Sequence, residues 1–406
     1  MEMAQSLLAR RTSSFKPSPI QQLSRLAQER NAINLAEGFP DFPAPDNVKR
    51  AAITAISADY NQYRHVQSVC EKVAELFGES QGVQIDPANI TICCGQSEAF
   101  AASALAVVDV GDEVLLLDPA YETYEACITL AGGCPVYVRM EPPSWSLDIN
   151  KLEASVSSRT KAIVLNSPHN PTGKVFSIQE LSDIAAICLK YNLLAITDEV
   201  YEHITYGSIK HISLASLPGM LDRTIVTSSL SKTYSVTGWR LGWAISPPNI
   251  APAVSNIHVK LTDSAPAPFQ EAAVIALQSS SNYFANLRQV YGRRLELVCS
   301  MLRNVGFKVE FRPQGSVFVF AELPDSYEND DMGYVAELIA KAGVAIVPGC
   351  GFFHNKTGHA DKSGRFGLKG SVEDDYDYTR RYVRVAFCKD FSTLLSAKES
   401  WQACSF

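Results

Sequence analysis

The sequence predicts an α/β protein: a large domain around a mostly parallel sheet, and a second, smaller α+β domain. Three observations carry this. The chain has 406 residues, and single hydrophobic cores stop growing near ~250–300 residues, so one larger and one smaller unit are expected. From about residue 90, short apolar strands bounded by turn signals alternate with helix-length stretches. That is the pattern of a parallel sheet covered on both faces. After about residue 305 the alternation gives way to strands with only two helices between them.

The elements follow in order. The stretch up to about Ile33 (IQQLSRLAQER) reads as a helix packed on the smaller domain. TICC (91–94) is a buried strand, followed by a helix from about Gln96 to Val108. EVLLLD (113–118) leads into a helix from about Tyr121 to Ala131. PVYV, KAIVLN, a helix near Ile178–Lys190, LLAITD, TIVTSS and LGWAIS complete the large sheet. A long helical stretch runs from about Asn249 to Val305, and then FKVEF, SVFVFAEL, VAIVP and YVRVAF are expected as strands. Residues 354–381 are polar and Gly-rich and read as a surface insertion.

Composition narrows the function. Charged residues are 19%, below the ~25% usual for globular domains, which suits a chain that buries much of itself, a subunit interface included. Against 43 acidic residues stand 36 Lys and Arg, a net charge of −7. No basic footprint for nucleic acid or an anionic membrane is present. The ten cysteines form no CxxC pair; they read as small buried hydrophobes of a reducing compartment, and no metal site is expected. The longest apolar run, Ala99 to Val108, is far short of the ~18 residues of a membrane helix. Residues 10–18 (ARRTSSFKP) have the Arg/Ser bias of a transit peptide, against which Glu2 and the short lead count. A cytoplasmic protein is expected, with an organellar address left open.

The chemistry concentrates in SSLSKTYSVTGWRLGW (228–243). Lys232 follows a strand amid small hydroxyl residues, and a nucleophilic lysine needs desolvation or a nearby cation such as Arg240. Ser229, Ser231 and Arg240 would make an anion cradle suited to phosphate. A nucleophilic lysine beside such a cradle implies pyridoxal 5′-phosphate, although a solvated lysine in a Ser-rich loop explains the segment as well. AITDEVY (195–201) puts Asp198 at the end of a buried strand, where a bare carboxylate is costly. Pyridoxal chemistry needs a carboxylate to keep the ring nitrogen protonated; a structural turn cap would also do. In NSPHNPTGK (166–174), Asn170 can donate to a ring oxygen, as can Tyr201, yet an NPTG turn needs no function. CCGQSEAF (93–100) reads as strand, Gly, helix start, with the amides after Gly95 pointing at an anion. Each site is weak alone; the four in order are not.

With these motifs the chain resembles fold-type I pyridoxal-phosphate enzymes of the class I/II aminotransferase family, most like the kynurenine aminotransferase/glutamine transaminase K subgroup. The likeness runs from NLAEGFPDFP (34–43) and NQY (61–63) through GQSEA, GDEVLLLDPAYETY, NSPHNPTG, DEVY and SLSKTYSVTGWRLGW to QGSVFVF, VPG and YVRVAF (382–387). It implies the fold of that group: a seven-stranded, mostly parallel sheet in a large domain (46–290), an N-terminal arm that joins the small domain (1–45), and a C-terminal small domain (291–406). Residue by residue, it implies that Lys232 bonds the cofactor and shuttles the proton. Asp198 meets the pyridine nitrogen, and Asn170 and Tyr201 meet the ring oxygen. Gln96, Ser97, Ser229 and Arg240 form the phosphate cup, and Tyr121 stacks on the ring. Asn166 and Arg384 hold the substrate α-carboxylate with the Gly38 backbone. Tyr63 reaches the phosphate of a neighbouring subunit, so a homodimer is implied.

YVRVAF alternates along a strand, so a solvated edge arginine explains Arg384 equally well without the resemblance. The chain departs from the family after NQY, where RHVQSVCEKVAELFG replaces the usual Gly-rich stretch. This leaves acceptor specificity open and makes His65 a candidate substrate contact, beside its reading as a packed or solvated histidine. The resemblance implies transfer of an amino group from an L-amino acid of aromatic, kynurenine, glutamine or methionine type to a 2-oxo acid. The alternative is β-elimination on cysteine S-conjugates, which shares the α-proton step. A catalytically silent homologue is disfavoured by the intact set of reactive residues, and a nicotinamide dehydrogenase by the absence of GxGxxG after any strand.

Overall fold

The structure is a computed structural model that describes residues 15, 17–327, 330–354 and 378–404. After a two-residue strand β1 (Ile33–Asn34), the large sheet is built from β2 (Ile90–Cys93), β3 (Glu113–Asp118), β4 (Cys134–Glu141), β5 (Ser146–Leu147), β6 (Thr160–Asn166), β7 (Leu194–Asp198), β8 (Thr224–Ser229) and β9 (Gly242–Ile245). Their spatial order is β2-β9-β8-β7-β6-β3-β4-β5. Strands β4, β3, β6, β7 and β8 are mutually parallel, and every residue of β3 and β8 is buried, as two covered faces demand. β9 runs antiparallel to both β8 and β2. The reason lies in the connection: residues 230–241 are spent on the Lys232 loop and one 3₁₀ turn, Thr237–Trp239, leaving no crossover helix of the kind a parallel return requires. To the seven strands expected, the structure adds β5, a short antiparallel return on β4.

Strands and helices coincide with the sequence reading through this region. The helix Ile178–Lys190 has both its ends as expected, set at the start by a Ser177/Glu180 capping box. The stretch from Asn249 is three helices, Ala251–Thr262, Ala267–Leu277 and Ser281–Asn304. Asp263, at φ 60°, and Pro266 break the first from the second.

The remaining strands are β10 (Phe318–Glu322), β11 (Val344–Ala345), β12 (Val347–Pro348) and β13 (Tyr382–Ala386), and β10-β13-β12 form an antiparallel sheet. VAIVP is thus not one strand. β11 pairs in parallel with β1, while β12 pairs with β13, so the N-terminal segment is sewn into the C-terminal sheet system. FKVEF is not a strand either. Only a single bridge, Lys308 to Glu322, forms, and Phe307 and Val309 are buried by packing instead. The helix Pro19–Glu29, capped by Ser18, packs against β1, β11 and β12 as expected. The Gly-rich insertion lies mostly outside the described residues. None of the described helices is long and apolar enough to cross a membrane.

Candidate active site

β6, β7 and β8 end side by side, with Asn166 opposite Asp198 and Asp198 opposite Thr227. Their carboxyl ends, beside the point where the chain order reverses between β6 and β3, are where ligands bind in open α/β sheets. A cavity of about 350 Å³ opens there. Twelve of the residues singled out from sequence line it: Gly38, Gln96, Ser97, Tyr121, Asn170, Asp198, Tyr201, Ser229, Ser231, Lys232, Arg240 and Arg384. A larger recess, about 640 Å³ between Phe77, Ile85, Leu221 and Ile245, contains none of them, so chemistry and not size marks the site.

One end of the cavity is an anion cradle. Gly95, at φ 84°, turns the chain from β2 into the helix Gln96–Val107, whose first amides are free to meet an anion. A Cβ at Gly95 would fall 2.4 Å from Nη2 of Arg240, and one at Gly242 would fall 2.6 Å from the Gln96 nitrogen. Both glycines therefore keep the cradle open. Arg240 is held in the left-handed region (φ 52°) by Nη1 donating to Thr237 O at 2.9 Å and Nη2 to Cys94 O at 3.3 Å. The Gln96 side chain donates to Thr227 Oγ1 at 3.1 Å, and that hydroxyl donates to Thr197 O at 2.7 Å. Ser231 N donates to Ser229 Oγ at 3.2 Å.

At the floor, the Asp198 carboxylate accepts from Tyr124 Oη at 2.7 Å and from Val200 N at 3.1 Å. Burial nevertheless raises its pKa to about 6. The Lys232 ammonium donates to Gly38 O. Burial lowers its pKa to about 8, with Arg384 acting in the same direction while Cys388 and Asp198 oppose. Such a lysine has a sizeable neutral fraction near neutral pH, as a nucleophile or base must. Arg384, 2% exposed, points its guanidinium between the rings of Phe318 (4.1 Å) and Phe352 (4.8 Å). Its Nη1 donates to Asn170 Oδ1 at 2.9 Å and its Nη2 to Ala36 O at 2.7 Å, while burial lowers its pKa to about 10. It is a buried cation at a cavity wall, not a solvated edge arginine.

One expected residue falls elsewhere. Asn166 does not pair with Arg384: it lies behind Asn170, its Nδ2 donating to Asp198 O at 2.9 Å and its Oδ1 accepting from Asn170 N at 2.7 Å. Asn166 is the last residue of β6, paired with Asp198 at the end of β7, and the turn that follows carries Asn170 to the cavity instead. Tyr63, expected to reach a neighbouring subunit, is 79% exposed and does not line this chain's cavity. His65 is exposed as well and meets Gln67 Oε1 at 3.2 Å, the solvated reading. Sequence reasoning missed Tyr124, one helical turn past Tyr121, and Thr227, hidden within a strand. It also missed a cluster behind the cradle, Cys93, Glu98 and His258, whose ligand atoms lie within 4.8 Å of one another. There His258 Nδ1 already holds Glu98 Oε1 at 2.7 Å.

A cradle for a phosphate facing a buried carboxylate, with a depressed lysine between them, fits the donor set that pyridoxal 5′-phosphate needs at its phosphate, ring nitrogen and reactive carbon. Fold and cavity thus define a pyridoxal-phosphate enzyme. The family model for aminotransferase class I and II matches residues 30–375. Kynurenine–oxoglutarate transaminase 1 of Homo sapiens is 34% identical over 98% of either chain. The solved structure of N-succinyldiaminopimelate aminotransferase from Mycobacterium tuberculosis superposes with a TM-score of 0.89 at 33% identity, over 98% of this chain and 99% of that one. YbdL of Escherichia coli, identified with a methionine aminotransferase function, superposes with a TM-score of 0.87 at 28% identity, over 98% and 99%. The chain belongs to the class I and II aminotransferase family and is a pyridoxal-phosphate-dependent transaminase, moving amino groups between amino acids and 2-oxo acids.

Proposed function

We propose that the amino donor is an L-amino acid with an aromatic or large neutral side chain, of kynurenine, methionine or glutamine type, and that transfer to the 2-oxo acid is ping-pong. The observation that carries the assignment is the convergence of Lys232, Asp198 and Arg384 on one cavity whose opposite end is an anion cradle. Phe39, Tyr121 and Phe318 in its lining supply apolar contact for such side chains. When bound, pyridoxal phosphate supplies the electron-accepting ring that stabilises charge as the Cα proton departs. Lys232 Nζ takes that proton and returns it one carbon away. Asp198, steadied by Tyr124, keeps the proton on the ring nitrogen. Asn170 and Tyr201 would meet the ring oxygen, Tyr121 would pack on the ring, and Gln96, Ser97, Ser229 and Arg240 would hold the phosphate. Arg384 and the Gly38 backbone hold the substrate carboxylate, with Asn166 fixing Asn170 from behind.

The assembly we propose is a two-fold homodimer. Ile53 and Ile56, on the helix Asp46–Ser57, and Tyr60 and Tyr63 just beyond it are exposed to 61, 52, 37 and 79%. A second copy would bury that row and bring Tyr63 to the other subunit's phosphate cup. The domain division 1–45, 46–290 and 291–406 belongs to the same reading, its second boundary falling inside the helix Ser281–Asn304, as does a cytoplasmic location, which the unpaired cysteines support. The decisive test is a matrix of amino acids against 2-oxo acids on purified holoenzyme, with Lys232→Ala as control. Turnover confined to dicarboxylic pairs would overturn the substrate reading, and wild-type turnover by Lys232→Ala the catalytic one. For the dimer, Tyr63→Phe subunits mixed with Lys232→Ala subunits should regain one site of normal cofactor affinity. No recovery after confirmed subunit exchange, or a fully active monomer, would sink it.

A further inference from the structure

Lys389 has no part in the roles above, yet it is 1% exposed and sits just beyond β13. Its Nζ donates to Phe39 O at 2.9 Å and lies 3.4 Å from the centroid of the Phe39 ring. A buried ammonium is costly, and one whose hydrogen-bond acceptor is a carbonyl instead of a carboxylate is more so. Around it, β13 and its extension grip the N-terminal loop rung by rung. Ala386 N donates to Leu35 O at 2.9 Å, Arg384 to Ala36 O, Lys389 to Phe39 O, and Asp390 N to the Asp41 carboxylate. Gly38 lies between the second and third rungs, its carbonyl taking the Lys232 ammonium. There is no slack on its far side, since a Cβ at Gly38 would fall 2.4 Å from Phe318 Cζ.

We propose that Lys389 is a positioning residue that fixes the Gly38–Phe39 turn closing the carboxylate end, and that its buried charge disfavours added positive charge on the Lys232 nitrogen. This rests on the proposed roles of Lys232 and Gly38. The groups that face Lys232 are Asp198 from β7, Arg384 from β13, and Cys388 and Lys389 from its extension. Burial and the two cations lower its proton affinity, while the thiol and the carboxylate raise it. Lys389 is itself lowered by burial and faces Cys388, Asp41 and Glu37. A neighbouring cation destabilises the protonated form, so removing it must move the titration of Lys232 and whatever it carries to higher pH.

The test compares Lys389→Gln, Lys389→Met and Lys389→Arg as holoenzymes, reading the pH midpoint of the visible absorbance, KM and kcat for one aromatic amino acid, and thermal stability. Gln keeps a donor for Phe39 O but loses the charge. Its midpoint should rise measurably, with KM within about threefold of wild type. Met loses both and should add a KM increase of about tenfold or more, with kcat much less affected. Arg should leave both readouts near wild type. Asp41→Asn, at an exposed position, removes an anion and should move the midpoint down, which keeps the idea testable if Gln and Met do not fold. Midpoints of folded Gln and Met variants equal to wild type, an Arg shift as large as that of Gln, or an upward shift in Asp41→Asn would overturn it. Lys232→Ala separates the two levels: if it keeps the titrating band, the role of Lys232 fails and not that of Lys389.

Discussion

The two ends of the cavity are built by different means. At the anion cradle and the floor beside it, Gln96, Ser229 and Asp198 stand at or just beyond the ends of strands in one sheet, so the strand ladders set their spacing. At the carboxylate end, Arg384 bonds Ala36 across 348 residues of chain, Phe318 comes from β10, and the loop from Leu35 to Asp41 is held by single hydrogen bonds to irregular backbone. A ladder loses little when one side chain changes. A row of stitches loses its register when one is cut. Substitutions at the phosphate end should therefore cost cofactor retention, and those at the carboxylate end should cost amino-acid affinity with the cofactor in place.

Lys232→Ala stands between the ends and should have the largest effect, lowering turnover by at least about 10³-fold. The covalent absorbance should vanish while the cradle still retains free cofactor, a point that dialysis would check. Arg384→Ala breaks the carboxylate end, and cutting a desolvated bidentate contact costs about 2–5 kcal/mol. Steady-state kinetics should show kcat/KM falling across all amino acids about equally, with the visible spectrum intact. A loss confined to one substrate would erase the division. Tyr124→Phe cuts a donor to Asp198 at the floor and should cost about 0.5–1.5 kcal/mol of cofactor binding, measured by titrating the apoenzyme, with KM for amino acids little changed. The smallest effect concerns a bond that ties the two ends together. His354, near Phe352, meets Asp118 Oδ1 at the end of β3 at 3.0 Å. Burial alone would lower its pKa, but the bonds to Asp118 and Glu125 outweigh burial and raise it to about 9. A raised folded-state pKa means that this stability is complete below about 6.5 and is lost as pH climbs through about 9. Thermal melts of wild type should thus fall between pH 6 and pH 9.5 by a few degrees more than those of His354→Gln.

The same contrast explains what could be read from the sequence. Lys232, Asp198, Asn170 and Arg240 sit in contiguous motifs whose strand and turn pattern places them, so their gathering on one cavity was legible, as was the large sheet. Arg384 was ambiguous because alternation along a strand tells which face a residue takes but not what covers that face. Asn166, read as a holder of the substrate carboxylate, lies behind Asn170, because motif order says nothing about which of two nearby asparagines the turn pushes forward. Tyr124 and Lys389 carry no local signal at all, since each acts through a partner distant in sequence. FKVEF misled for a related reason: an apolar, alternating run is as well served by burial as by pairing.

The pairing of β1 with β11 has a consequence for the newborn chain. Ile33 lies against Val344, so β1 has no strand partner until some three hundred residues more have emerged. At ~5–20 residues per second this is a wait of roughly 15–60 s. The large sheet contains all its strands by Ile245 and can close during that interval, whereas the stretch carrying Gly38 and Phe39 must stand idle. The cavity wall that carries Gly38 and Phe39 is consequently the last to be finished, and a chain stalled short of β11 would carry the anion cradle without the wall that closes its other end.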